Sequence, residues 1–98
     1  MEKSTPHCKL SKVKRLIEAG KVRSTGSALA GGAVLGLDFK GIVGVVMALV
    51  PSDFYKSMVT HADHRIWQDM YRPTTPFGEV YLKLTVIDDL LIVSFKEL

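Results

Sequence analysis

A phenol and an ammonium group held side by side can bind an anion and exchange a proton with it. Two strand-like segments near the carboxyl end of this sequence set up such a pair in Tyr81 and Lys96. Residues Val80 to Val86 read Val-Tyr-Leu-Lys-Leu-Thr-Val, and Leu91 to Lys96 read Leu-Ile-Val-Ser-Phe-Lys. Period-two alternation places Val80, Leu82, Leu84 and Val86 on one face of the first, and Leu91, Val93 and Phe95 on one face of the second. A two-residue hairpin loop at Asp88-Asp89 makes residue 87 face residue 90, so that Leu84 lies opposite Val93 and Leu82 opposite Phe95. Tyr81 then faces Lys96 on the other, exposed side. A four-residue loop preserves the same pairs. Such a face points to chemistry on something anionic.

The remaining strands extend that face. A loop over Pro73 to Gly78 lets Arg72 face Glu79, which brings Met70 opposite Tyr81 and Gln68 opposite Lys83. In the preceding hairpin, a loop of three or five residues aligns Lys56 with Gln68, whereas a loop of four aligns it with Asp69. The first alternative is preferred because it gathers Lys56, Gln68, Arg72, Tyr81, Lys83 and Lys96 on one surface, with Met58 sharing the parity of Lys56. Trp67 and Tyr71 fall on the opposite side and are expected to pack in the core. On its own, a strand showing Tyr and Lys to solvent is ordinarily a solvated sheet surface.

The elements that must hold this face in place follow from pattern. Ninety-eight residues with 47% hydrophobic content form one domain, residues 1 to 98, with a single core. A first helix opens near Pro6, with Leu10, Val13, Leu16 and Ile17 on one stripe, and ends at Gly20. Ser24 or Thr25 caps a second helix over Ala28 to Leu35. Asp38 caps a third, Phe39 to Leu49, which Pro51 stops. Strands follow over Phe54 to Thr60, Ile66 to Arg72, Glu79 to Ile87 and Leu90 to Lys96. Helices first and a short-looped meander second imply an α+β fold in which amino-terminal helices cover one face of an antiparallel sheet, leaving the other for function.

Charge and cysteine content narrow the class. The formal net charge is +3, but residues 1 to 23 carry seven Lys or Arg against Glu2 and Glu18, which favours a polyanionic partner and equally describes a solvated helix face. Cys8 is the only cysteine, so no internal disulfide forms and a reducing, cytoplasmic setting is expected. The most apolar run, Ile42 to Val50, is too short for a spanning helix, which needs about twenty residues, and the amino terminus lacks a signal-peptide core. No membrane association is expected. His61, Asp63 and His64 have a His-x-x-His spacing, but tetrahedral zinc needs more ligands, so a polar turn is expected and no metal. The glycines at 26, 31, 32 and 36 do not have phosphate-loop spacing; helix packing or flexibility accounts for them.

Several strings carry a resemblance: Leu35-Gly-Leu-Asp-Phe39, Asp53-Phe-Tyr-Lys-Ser-Met58, Ile66-Trp-Gln-Asp-Met-Tyr-Arg-Pro73, Val80-Tyr-Leu-Lys83 and Leu91-Ile-Val-Ser-Phe-Lys-Glu97. With the Met1-Glu2-Lys3 start, the sequence resembles the motility quorum-sensing regulator toxins along essentially its whole length. The resemblance implies a type II toxin with a RelE-like fold: an endoribonuclease that needs no metal or other cofactor, cleaves mRNA with a preference for GCU, and is silenced by a zinc-containing antitoxin that also binds DNA. It also implies Lys56, Gln68, Tyr81 and Lys96 as catalytic residues, with Met58 and Arg72 supporting. Lys83, from the strand pattern, joins these two as a substrate-binding candidate. The chain departs from the family at Asp88, where members can carry histidine.

Metal-free RNA cleavage proceeds by attack of the 2′-hydroxyl on the adjacent phosphorus. It needs proton removal, charge stabilisation and protonation of the 5′-oxygen. The corresponding assignment has Lys56 as base or orienting the 2′-hydroxyl and Tyr81 protonating or positioning the leaving group. Lys96 and Arg72 neutralise phosphate, and Gln68 positions RNA. Crowding Lys56, Lys96 and Arg72 on one face is expected to disfavour each ammonium and favour tyrosinate. The alternative is a non-catalytic RNA-binding or protein-interaction module on the same cationic face.

Overall fold

A computed structural model describes all 98 residues, Met1–Leu98. The backbone forms β1 (Glu2–Lys3), α1 (Leu10–Glu18), β2 (Val22–Ser24), α2 (Gly26–Val34), α3 (Phe39–Met47), β3 (Phe54–Val59), β4 (Trp67–Tyr71), β5 (Thr74–Thr75), β6 (Gly78–Ile87) and β7 (Asp89–Glu97). The expected α+β class is borne out, as are the four main strands. Two short edge strands, β1 and β2, were not anticipated. The main sheet runs β1-β3-β4-β6-β7-β2, and it is mixed, because β2 pairs parallel to β7 while the other pairs are antiparallel.

The helices follow their capping signals. Thr25 Oγ1 accepts from Ala28 N–H at 3.1 Å and Asp38 Oδ1 from Gly41 N–H at 2.8 Å, each relieving an orphan donor of the first turn. Pro51, which cannot continue a helix, opens a short 3₁₀ turn over Pro51–Asp53. The first helix starts at Leu10 rather than near Pro6. Lys9 before it is extended, with φ −64° and ψ 143°, and the segment ahead is held to the sheet, where Asp69 on β4 accepts from the N–H groups of His7 and Cys8 at 2.9 Å each. All three helices lie on one face of the sheet, and the core between them contains Val13, Ala28, Ile42, Val46 and Leu49 against Tyr71, Val80, Leu82, Leu84, Leu90, Ile92 and Phe95.

The hairpin joining β6 to β7 departs from the expected register at its tip. Ile87 pairs with Asp89 around a single residue, Asp88, whose φ of 64° is the only positive value outside glycine. Aspartate is among the few residues that tolerate this left-handed conformation. With that turn Leu84 pairs with Ile92, not Val93. A bulge at Val93 then inserts one residue, so Lys83 pairs with Ser94, Leu82 with Phe95 and Tyr81 with Lys96. Two residues opposing one reverses the alternation. The β7 residues facing the core are therefore Leu90, Ile92 and Phe95, and Leu91 and Val93 lie on the other side. The expected Tyr81 and Lys96 pairing is borne out beyond the bulge.

Two further registers differ by an even number of residues, which changes partners without turning side chains over. Pro76-Phe77 forms a two-residue turn with Thr75 opposite Gly78 and Thr74 opposite Glu79. The strand leading to it is interrupted at Arg72-Pro73, where proline offers no ladder donor. In place of a six-residue loop with Arg72 facing Glu79, Tyr71 pairs with Leu82 and Met70 with Lys83. Lys56 pairs with Met70 rather than Gln68, past a bulge at Tyr55.

Helix α2 lies so close to β7 that a β-carbon at Gly31 falls well inside van der Waals contact with the carbonyl oxygen of Phe95. Helix packing is thus the account of that glycine. Because the obstacle is strand backbone, Gly31→Ala is expected to cost about 1–3 kcal/mol, or more where β7 cannot yield. Urea denaturation at constant m-value measures it.

Candidate functional site

The sheet face turned away from the helices collects all seven residues singled out from sequence. One row runs straight across it: Lys56 on β3 pairs with Met70 on β4, Met70 with Lys83 on β6, and Lys83 with Ser94 on β7. Met58 pairs with Gln68 on one side of that row, and Tyr81 with Lys96 on the other. Arg72 follows two residues after Met70. Strict alternation away from the buried residues Tyr71, Leu82 and Phe95 explains why these side chains share a face.

Met70 is the floor of the site. It is 5% exposed although it faces away from the core, because its neighbours close over it. The Tyr81 hydroxyl leans across from β6 and donates to Met70 Sδ at 3.0 Å, which brings the phenol beside the strand position directly opposite Lys56. Lys96 Nζ lies 5.5 Å from the centre of the Tyr81 ring, and the ring's negative face favours a cation there. Tyr55, carried outward by its bulge, is shared by Arg72 at 4.8 Å and Lys56 at 5.2 Å.

The surface is not purely cationic. Glu2 on β1 pairs in register with Met58, and its Oε2 lies 3.3 Å from Lys56 Nζ. The crowding of Lys56 with other cations is therefore offset by a carboxylate. Sequence pattern could not identify Glu2, since a two-residue strand shows no alternation and its partner is more than fifty residues away.

Behind this face, Asp69 anchors the segment that carries Glu2. The residue is 5% exposed, and its carboxylate accepts from the backbone of His7 and Cys8. Trp67, expected in the core, is instead half-buried at the first position of β4. It stacks on His7 with centroids 5.5 Å apart, beneath Lys3 Nζ at 4.2 Å, because no helix reaches that end of β4. Tyr71 does pack in the core, edge-on to Phe54. Burial, then the Asp69 carboxylate and Cys8, push its phenol well above the ordinary range. The turn over His61 to His64 is tied down by Asp63, which pairs with Arg65 through two contacts of 3.0 Å. These hydrogen bonds hold the Asp63 carboxyl below its usual value. No three His, Cys, Asp or Glu side chains converge as metal ligands, and no single helix is long and apolar enough to cross a membrane.

Residues 5–97 match the family described as "Motility quorum-sensing regulator, toxin of MqsA". The chain belongs to that family. Among curated proteins it is similar to the mRNA interferase toxin MqsR of Escherichia coli (strain K12), with 62% identity over 97 residues that cover 99% of each chain. As a member of the motility quorum-sensing regulator toxins, it presents to solvent a lysine, a tyrosine hydroxyl and a second lysine around a buried thioether.

The amino-terminal anchor has a chemical signature. Burial raises the Cys8 thiol above its usual value; Lys12 opposes this and Asp69 reinforces it. Less thiolate is present at a given pH, so iodoacetamide at pH 8 should alkylate Cys8 more slowly than free cysteine. Asp69→Asn, which removes a negative charge and loosens the segment, should speed the reaction several-fold in a timed mass-spectrometric assay.

Proposed function

We propose that this chain is the toxin of a type II toxin–antitoxin pair and an endoribonuclease that cleaves mRNA at GCU sites without a metal ion. The observation that carries the reading is the Tyr81 hydroxyl on Met70, the strand partner of Lys56, with Lys96 against the phenol, all on the sheet face turned away from the helices. The name of the 62%-identical relative, an mRNA interferase toxin, supports the same substrate and reaction. The antitoxin is the partner in the family's description; in this reading it contains zinc and binds DNA, and toxin and mRNA meet in the cytoplasm.

Catalysis here depends on positioning and charge. A scissile phosphate above Met70 sits among Lys56, Lys96 and Arg72, which neutralise the charge that develops on its non-bridging oxygens. Lys56 holds the 2′-oxygen in line with the phosphorus. Tyr81, whose hydroxyl already projects over the floor of the site, protonates the departing 5′-oxygen. Gln68, Met58 and Lys83 flank this row and position the neighbouring nucleotides. The products are a 2′,3′-cyclic phosphate and a 5′-hydroxyl end.

Incubating the protein with a GCU-containing RNA in EDTA should yield fragments with those ends, resolved by mass spectrometry. Tyr81→Phe and Lys56→Ala should each slow cleavage by about 10²-fold or more, within the range for a positioned proton donor or charge. Intact RNA that remains bound to the wild-type protein would instead identify a non-catalytic binding module.

A further inference from the structure

Removal of the 2′-hydroxyl proton is the one step for which Lys56, Gln68, Tyr81 and Lys96 supply no obvious acceptor. Lysine and tyrosine have reference pKa values of about 10.4 and 10, and an amide does not act as a base, whereas glutamate, with a reference value of about 4.3, is ionised at neutral pH. Building on the functional reading above, we infer that Glu2 is the general base of the site. Its carboxylate is in ion-pair contact with Lys56, at 3.3 Å, and its side chain is more than half exposed, open to an incoming 2′-hydroxyl.

The register places Glu2 where a base is needed. Glu2 pairs with Met58, the next outward residue after Lys56 on β3. Lys56 pairs with Met70, and the Tyr81 hydroxyl reaches Met70. Carboxylate, ammonium and phenol therefore follow one another across β1, β3 and β4. Two strand spacings and the two-residue offset from Met58 to Lys56 separate the backbone positions of Glu2 and Met70 by about 12 Å, which the Glu2 side chain shortens by reaching back to Lys56. An in-line displacement requires its base and acid on opposite sides of phosphorus. Two hydrogen bonds of about 2.7 Å and a nucleophile approaching to about 3–3.5 Å add up to a similar span.

In the reaction the 2′-O–H bond breaks and its proton passes to the Glu2 carboxylate, while the oxygen's electron pair forms the new bond to phosphorus. The bond from phosphorus to the 5′-oxygen then breaks, and that oxygen takes the proton of the Tyr81 hydroxyl. Solvent returns the proton from Glu2 to the tyrosinate, so the enzyme ends as it began. Lys56 stays an ammonium throughout, hydrogen-bonded to the nucleophile and to Glu2. Backbone contacts hold β1 in position, since Val59 N–H donates to the Met1 carbonyl at 3.2 Å and Asp69 fixes the chain at His7 and Cys8.

The test uses the full chain with no extension at its amino end, and a short RNA containing one GCU, with kcat and KM measured from about pH 3.5 to 9 so that the range spans the ordinary carboxylate region. Tyr55 and Lys56 face Glu2 from β3, and Lys3 lies beside it on β1. Glu2→Gln is expected to lower kcat by about 10²–10⁴-fold, leave KM within about threefold, and abolish the acidic limb of the pH–rate profile; Glu2→Asp restores part of the rate. Glu79→Gln removes another carboxylate near Arg72 and leaves the profile unchanged. A fall in KM with kcat intact overturns the assignment, since Glu2 would then merely compete with phosphate for Lys56. An unaltered Glu2→Gln variant, or loss of the limb in Glu79→Gln, overturns it too. A wild-type protein that cleaves no RNA removes the functional reading and this inference with it, whereas an active wild type confines any failure to Glu2.

Discussion

The pairing of β6 with β7 must satisfy two demands that a regular ladder cannot meet together. The turn at Asp88 sets Leu84 against Ile92, and the core needs Leu90 and Ile92 facing the helices. Continued without interruption, that register would carry Lys96 one residue past Tyr81 and turn Phe95 out of the core. The extra residue at Val93 absorbs the offset, so Phe95 returns to the core and Lys96 to the phenol. One bulge thereby couples the packing of the helical layer to the alignment of the site. The carbonyl it displaces is satisfied: the Thr25 hydroxyl donates to Val93 O at 2.8 Å while accepting from Ala28 N–H. The start of α2 is thus fastened at the bulge, and Gly31, one and a half turns further on, lets the same helix settle onto Phe95.

The opposite edge of the sheet depends on a buried charge. Asp69 sits on the helix side of β4, where an isolated carboxylate would be costly. Two backbone N–H groups from the segment before α1 solvate it, a charge-assisted arrangement worth more than a neutral hydrogen bond. Those two bonds tie the segment before α1 to β4, where His7 stacks on Trp67, and β1 upstream of it pairs with β3. Glu2 reaches Lys56 as a consequence of how Asp69 is satisfied on the other face. The ion pair itself contributes little to stability, on the order of 0–1 kcal/mol for a solvent-exposed pair. Its importance lies in where it leaves the carboxylate.

Much of this was legible in the sequence, and the reasons are specific. Lys56, Gln68 and Arg72 could be assigned to one face because parity survives an error of two residues, the size of the error in the β3–β4 and β4–β6 registers, whereas Tyr81 and Lys96 met as expected because the bulge at Val93 cancels a one-residue error at the Asp88 turn. The caps at Thr25 and Asp38 were legible because they are local. The alternation of β7 was not, since a bulge leaves no mark in a string of Leu, Ile and Val that reads as apolar on either side. The start of α1 was misplaced because the segment before it is held to the sheet by Asp69, some sixty residues away, and Trp67 because a large aromatic looks like core unless one knows that no helix covers it. Strands of two or three residues, β1 and β2, are below the length at which periodicity exists.

These two long-range constraints also decide what kind of site the face can be. A sheet surface is flat and wet, and flat sites are poor at shifting the proton affinity of their groups by burial. None of the ionisable side chains on this face is deeply buried; the one buried member of the cluster is a thioether. A face of this kind gains more from placing groups that are already in the needed protonation state at neutral pH than from tuning them: a carboxylate to accept a proton, ammonium and guanidinium groups to hold charge, and a phenol to give one up. Lysine and tyrosine come from the strands, by alternation alone. The carboxylate has to be imported from outside the meander, because a glutamate at a central strand position would neutralise the cations that bind phosphate. An edge strand brings it to the margin of the cluster, in contact with one lysine and clear of the rest.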